Sequence, residues 1–138
     1  MPPRLAVAAT SCYRKDVEAH REFLHLFQHS PDAKTLTAGS VLFEQGEPGD
    51  VLYIILSGQV EIRIGGQAVE TVGAGAIVGE MALIDKAPRS AAAIVVSEAA
   101  VVPVDERRFL FLVQQTPYFA LNVMRAMADR LRRRTARA

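Results

Sequence analysis

From residue 36 to residue 104 the apolar positions fall in short runs cut by glycine and turn residues. Residues 51–56 are apolar throughout, the pattern of a strand covered on both faces. Beyond Ser57-Gly58, the segment Val60-Glu61-Ile62-Arg63-Ile64 alternates strictly and predicts a half-buried strand. Gly65-Gly66 then offers two residues that accept positive φ, which suits a tight hairpin into residues 67–72. Upstream, Val41-Leu42-Phe43 runs into Gln45-Gly46-Glu47-Pro48-Gly49-Asp50, a corner that glycine and proline shape. Gly73 and Gly75 break the next corner before Ile77-Val78. Residues 91–96 and 99–104 read as two further strands joined at Ser97-Glu98. Many short strands with glycine-rich turns predict an antiparallel barrel or jelly roll over residues 35–104.

The flanks have a helical period instead. Residues 1–13, with Pro2 and Pro3, read as an irregular arm. Over residues 15–29, Val17, Phe23, Leu24, Leu26 and Phe27 are spaced by polar positions, an amphipathic helix that ends before Pro31. Asp105 reads as the cap of a helix over 106–114, with Phe109, Leu110, Leu112 and Val113 turned inward. Pro117 restarts the chain, and Ala120, Val123, Met124, Met127 and Leu131 recur at spacings of three and four over 118–134. The whole predicts one α+β, mainly β domain: an N-terminal helix, a jelly-roll-like β-roll holding one short helix, and two C-terminal helices over 105–136.

That one short helix carries the candidate chemistry. Gly79-Glu80 opens the apolar turn Met81-Ala82-Leu83-Ile84, whose first N–H groups have no partner within the helix and can face an anion. Arg89, held by Pro88, could donate two parallel hydrogen bonds to the same anion, and Ser90 could add a hydroxyl. Glu80 repels a phosphate unless it accepts from sugar hydroxyls, and a phosphate beside a free hydroxyl describes a nucleotide. The plainer alternative is an acidic first turn with Glu80 paired to Arg89.

Composition narrows the rest. Half of the 138 residues are apolar and 22% are charged, the profile of a globular domain. A net charge of +1 gives no overall argument for nucleic acid or an anionic surface. The local exception is residues 119–138, where Arg125, Arg130, Arg132, Arg133, Arg134 and Arg137 face Asp129 alone. The single Cys12 excludes an internal disulfide, and no apolar run reaches a membrane span, so a cytoplasmic protein is expected. His25 and His29 are four apart on the N-terminal helix with His20 nearby, yet no further metal ligands adjoin them, and a solvated surface is the expectation. No nucleophile with its base and no glycine-rich triphosphate loop with its lysine points to an enzyme.

Gly-Glu-Met-Ala-Leu-Ile, a short loop and then Pro-Arg-Ser-Ala resembles the phosphate-binding cassette of the cyclic nucleotide-binding domain family. The resemblance runs from about Leu36 through the C-terminal helix. Gly39, Gly46, Gly58, Gly79 and the Gly49-Asp50 corner match the family's glycines, and all but Gly79 are expected only to make turns. The resemblance implies a sensor of cAMP, with cGMP as the other candidate: Gly79, Glu80, Met81 and Ala82 around the cyclic phosphate, Glu80 on the ribose 2′-hydroxyl, Arg89 on the phosphate, and Ser90 on phosphate or base. Ile62 and Val72 would pack on the purine, and Arg130 falls where bacterial channel members place an arginine over the base. The expected output is a rearrangement of the C-terminal helices toward an unknown effector protein, with a homodimer through the last helix as one use of its stripe. With no helix-turn-helix after that helix, no DNA-binding domain is expected; taken as a whole protein the chain resembles a stand-alone bacterial member, and taken as a piece of a longer one it lacks its output domain. The competing expectation is a roll that binds no nucleotide and serves as an interaction module.

Overall fold

The computed structural model describes Leu24 and residues 27–137. The 1–13 arm and most of the 15–29 helix, with His20 and His25, lie outside the described residues. In chain order come β1 (Lys34–Leu36), β2 (Val41–Phe43), β3 (Val51–Ile64), β4 (Gln67–Val72), β5 (Ile77–Val78), α1 (Glu80–Ile84), β6 (Ala92–Asp105), α2 (Glu106–Gln115) and α3 (Pro117–Arg137). The architecture is the expected one, mainly antiparallel β with three helices among the described residues. None of these helices is long and apolar enough to cross a membrane.

All strand pairs are antiparallel, in the order β1-β6-β3-β4, with β2 also on β6 and β5 also on β3. The spine is β3 against β6, two strands of 14 residues each. Here the structure corrects the sequence reading. The runs 51–56 and 60–64 belong to one strand, and so do the runs expected on either side of Ser97-Glu98. The chain does not turn at these points; it bulges. Register slips between Ile55 and Ser57, again by Gln59, and again by Val60, bending the ladder without ending it. Gly58 permits this at φ 82°, and a β-carbon on it would overlap the carbonyl oxygen of Glu98 and Ala99.

The bulges let one ribbon serve two cores. Leu52, Ile54, Val102 and Val104 join Ile77, Leu83, Phe27, Phe119 and Val123 in one cluster. Ile55, Val60, Ile62, Ala93, Val95 and Val101 join Phe43, Val78 and Ala91 in the other. Phe119 is the anchor of α3, with its ring 6.0 Å from Phe27 and 5.4 Å from Phe109. The Asp105 side chain caps α2 as expected, accepting from the Arg108 amide. Helix α3 is rooted by Phe119 and Val123, and its later turns pass over α1.

Candidate functional site

Gly79 is the N-cap of α1 with φ 81°, and no side chain caps the helix. A β-carbon on it would sit 2.5 Å from Arg89 Nη1 and 3.2 Å from the Phe43 ring. Glycine is therefore required twice, by the backbone and by the space. The first-turn amides of α1 have no side-chain oxygen to bond, which leaves them for another acceptor.

Arg89 is 6% exposed, although arginine is rarely so buried. Its main chain is gripped from both sides by the 45–50 corner: the Arg89 amide donates to Glu47 O and the Gly46 amide to Arg89 O, each at 2.8 Å. Its Nη1 donates to Val51 O at 2.8 Å and to Gly79 O at 3.1 Å. The guanidinium lies 4.3 Å from the centre of the Phe43 ring, a cation–π contact. Its Nε is buried with no hydrogen-bond partner among the described residues. Burial pushes the Arg89 pKa below the ordinary arginine value, against the opposing pull of Tyr53, Asp50 and Glu47. An oxyanion set against this group would offset the desolvation.

Glu80 is the second buried charged residue, 3% exposed. It does not pair with Arg89. Its Oε1 accepts from Arg130 Nη1 at 2.5 Å, while its Oε2 is buried without a partner among the described residues. Arg130 comes from α3, donates through Nη2 to Ile77 O, and meets Glu70 Oε1 through Nε at 3.3 Å. Four elements, α1, β4, β5 and α3, are thus tied by one guanidinium.

Glu80, Arg89 and Arg130 lie on a cavity of about 270 Å³, just below the usual range for small-molecule sites. Gly79, Glu80, Met81, Ala82, Arg89, Ser90, Ile62 and Arg130 all line it. Val72 does not; on β4 it pairs with Val60 of β3 and packs at the margin of the second core. Arg130 is at the wall but engaged by its carboxylates, where the sequence reading left it free to stack on a base. The remaining lining includes Phe43, Met127, Ala128 and Leu131, which makes the wall away from the charges apolar.

Sequence reasoning missed Phe43, Glu70 and the second role of Gly49. Gly49 does more than turn: a β-carbon on it would overlap Nε, Cζ and Nη2 of Arg89. Glu70 lies on β4 between the half-buried Val69 and Val72, and nothing in Gln67-Ala68-Val69-Glu70-Thr71-Val72, which does not alternate, singles it out. No spacing rule links residues 43 and 49 to residue 89.

Residues 33–116 match the family model described as the cyclic nucleotide-binding domain. The cyclic AMP receptor protein of Thermus thermophilus is 34% identical over 99 residues, covering 68% of this chain and 46% of that protein. The solved structure of the Thermus thermophilus catabolite activator protein superimposes with a TM-score of 0.70 at 31% identity, covering 87% of this chain and 57% of that one. The EAL enzyme Bd1971 in its cAMP-bound form superimposes at 0.56 with 30% identity over 72% of this chain and 28% of that one. The chain spans about half the length of the curated relatives it matches first.

Proposed function

The chain belongs to the cyclic nucleotide-binding domain family, and on that footing we propose that its cavity takes a cyclic nucleotide, cAMP in preference to cGMP. One observation carries the reading. A buried acceptor, Glu80 Oε2, and a buried donor, Arg89 Nε, each lack a partner among the described residues, and both side chains line the same cavity. Buried polar atoms are nearly always satisfied, so a ligand that brings both a hydroxyl donor and an oxyanion is the natural complement. A cyclic nucleotide has the 2′-hydroxyl and the phosphate on one ribose. The apolar wall formed by Ile62, Met127 and Leu131 then receives the base, and Ser90, exposed at the edge, adds a hydroxyl to phosphate or base.

The output is assigned to α2 and α3 rather than to catalysis. A ligand favours one placement of α3 by the difference in its affinity for the two placements, and an effector protein that reads α3 receives that difference. A cytoplasmic location goes with this reading. Calorimetric titration of nucleotide-free protein with cAMP and with cGMP tests it. Saturable binding is the expected result, tighter for cAMP; no heat from either ligand with folded protein overturns it.

A second use of α3 is favoured by its outer face. Leu121 and Met124 are 36% and 58% exposed on that helix and do not line the cavity. A second copy of the chain meeting this face would bury it, with or without nucleotide. Light scattering over a concentration series should report association that Met124→Glu removes; a monomer at every concentration rejects the dimer.

A further inference from the structure

Arg130 divides its three guanidinium nitrogens among three elements. Nη1 goes to Glu80 on α1, Nη2 to the Ile77 carbonyl on β5, and Nε faces Glu70 on β4. The three side chains are sheltered together, with exposures of 15% for Arg130, 16% for Glu70 and 4% for Glu80. An arginine beside a carboxylate frequently forms the two-pronged pair, because two parallel hydrogen bonds then satisfy both oxygens. Here that pair is not made. Glu80 receives one prong, and its Oε2 stays buried and unbonded among the described residues. A polar atom left in that condition is unfavourable, so a competing interaction must hold the fork off it. The prong next to Nη1 is Nη2, which the Ile77 carbonyl takes, and Glu70 at Nε fixes the turn of the guanidinium that holds Nη2 there, so a single nitrogen is left for Glu80.

We propose that Glu70 is a positioning residue for the nucleotide site, keeping Arg130 from closing both oxygens of Glu80 and so reserving Oε2 for the sugar 2′-hydroxyl. The inference rests on the cyclic nucleotide reading above and adds a residue that does not line the cavity. Glu70 acts through Arg130 and touches no ligand. Without its charge the guanidinium is free to turn, Nη2 leaves the Ile77 carbonyl for Glu80 Oε2, and the hydroxyl loses its acceptor. The sugar hydroxyl is the only part of the ligand whose contact should change.

The test is a set of calorimetric titrations with cAMP and with 2′-deoxy-cAMP, which lacks that hydroxyl. The unaltered chain should bind cAMP more tightly than the deoxy ligand. Glu70→Ala should weaken cAMP about tenfold, the scale of one hydrogen bond to a charged group, and leave 2′-deoxy-cAMP unchanged. Lysine carries the charge without the fork, so Glu70→Ala combined with Arg130→Lys should regain part of the lost cAMP affinity. Should Glu70→Ala fail to fold by circular dichroism, Glu70→Gln serves instead, with a smaller loss of the same ligand-selective kind. Equal weakening of both ligands would mean that Glu70 merely holds the helix, and no weakening of either would mean that it holds nothing; each overturns the proposal. An unaltered chain that binds cAMP and the deoxy ligand equally overturns the Glu80 contact and the Glu70 role while leaving nucleotide binding intact. An unaltered chain that binds neither removes the nucleotide reading itself, and this inference with it.

Discussion

Gly49 lies against Arg89 so closely that a single methyl on the glycine would overlap the guanidinium at Nε, Cζ and Nη2. The backbone at Gly49 is not in the left-handed region, so alanine is excluded by space alone. Gly49→Ala should therefore push Arg89 from its seat. The strain expected from such overpacking is about 1–3 kcal/mol. Cyclic nucleotide affinity and melting temperature should both fall; a variant that melts and binds as the parent would show that the guanidinium can shift without loss.

Arg89→Ala removes the buried cation itself. Loss of a sheltered charge partner should cost binding about 2–5 kcal/mol. It also strips donors from the carbonyls of Val51 and Gly79, so melting temperature falls as well. Arg89→Lys tests the geometry: one ammonium cannot bridge two carbonyls and still present a planar edge to an oxyanion. Lysine should rescue little of the affinity, and full rescue in titration would make Arg89 only a point charge.

Gly58→Ala addresses the bulge. The residue has φ 82°, and its β-carbon would run into the Glu98 carbonyl. The cost should be about 1–3 kcal/mol from the backbone alone, with the clash added. Because Gly58 does not line the cavity, thermal melting should show a large loss while any folded fraction retains ligand affinity. A variant as stable as the parent would mean that β3 and β6 can re-register there.

The cassette was legible because its chemistry is local. Gly79, Glu80 and Arg89 lie within eleven consecutive residues, and although those types alone also allow Glu80 to pair with Arg89, the whole string narrows the choice. The strands were legible only in pieces. Residues 51–56 and 60–64 were found, but nothing in Ser57-Gly58 distinguishes a turn from a bulge, since glycine at positive φ serves either. Phe43 and Gly49 were read as strand and corner because their functional partner, Arg89, is far along the chain and is met only after the roll closes. Arg130 was placed at the site by resemblance, while its ion pair with Glu70 depends on β4 register that slips between Ile62 and Arg63.

Shortening α3 separates its two duties. Phe119 and Val123 are each 1% exposed and belong to the core, so a chain cut before Tyr118 should lose stability along with binding. A chain ending at Ala126 keeps both anchors and loses Met127, Arg130 and Leu131 from the cavity wall. It should fold, by circular dichroism and melting, and bind cyclic nucleotide more weakly than the full chain. Undiminished affinity would show that the later turns of α3 close nothing.

The rooting of α3 at Phe119 has a mechanical side. Arg130 lies about 16 Å along the axis from that ring and the helix end at Arg137 about 27 Å. A stiff rod pivoting at Phe119 magnifies whatever happens at Arg130, so that a shift of about 2 Å there becomes about 3 Å at the tip. The fulcrum is apolar and buried, whereas the point of effort is a set of ion pairs whose carboxylates a ligand could also address. On the proposed reading, small rearrangements of charge at the cavity would be converted into larger displacements at the end of the lever.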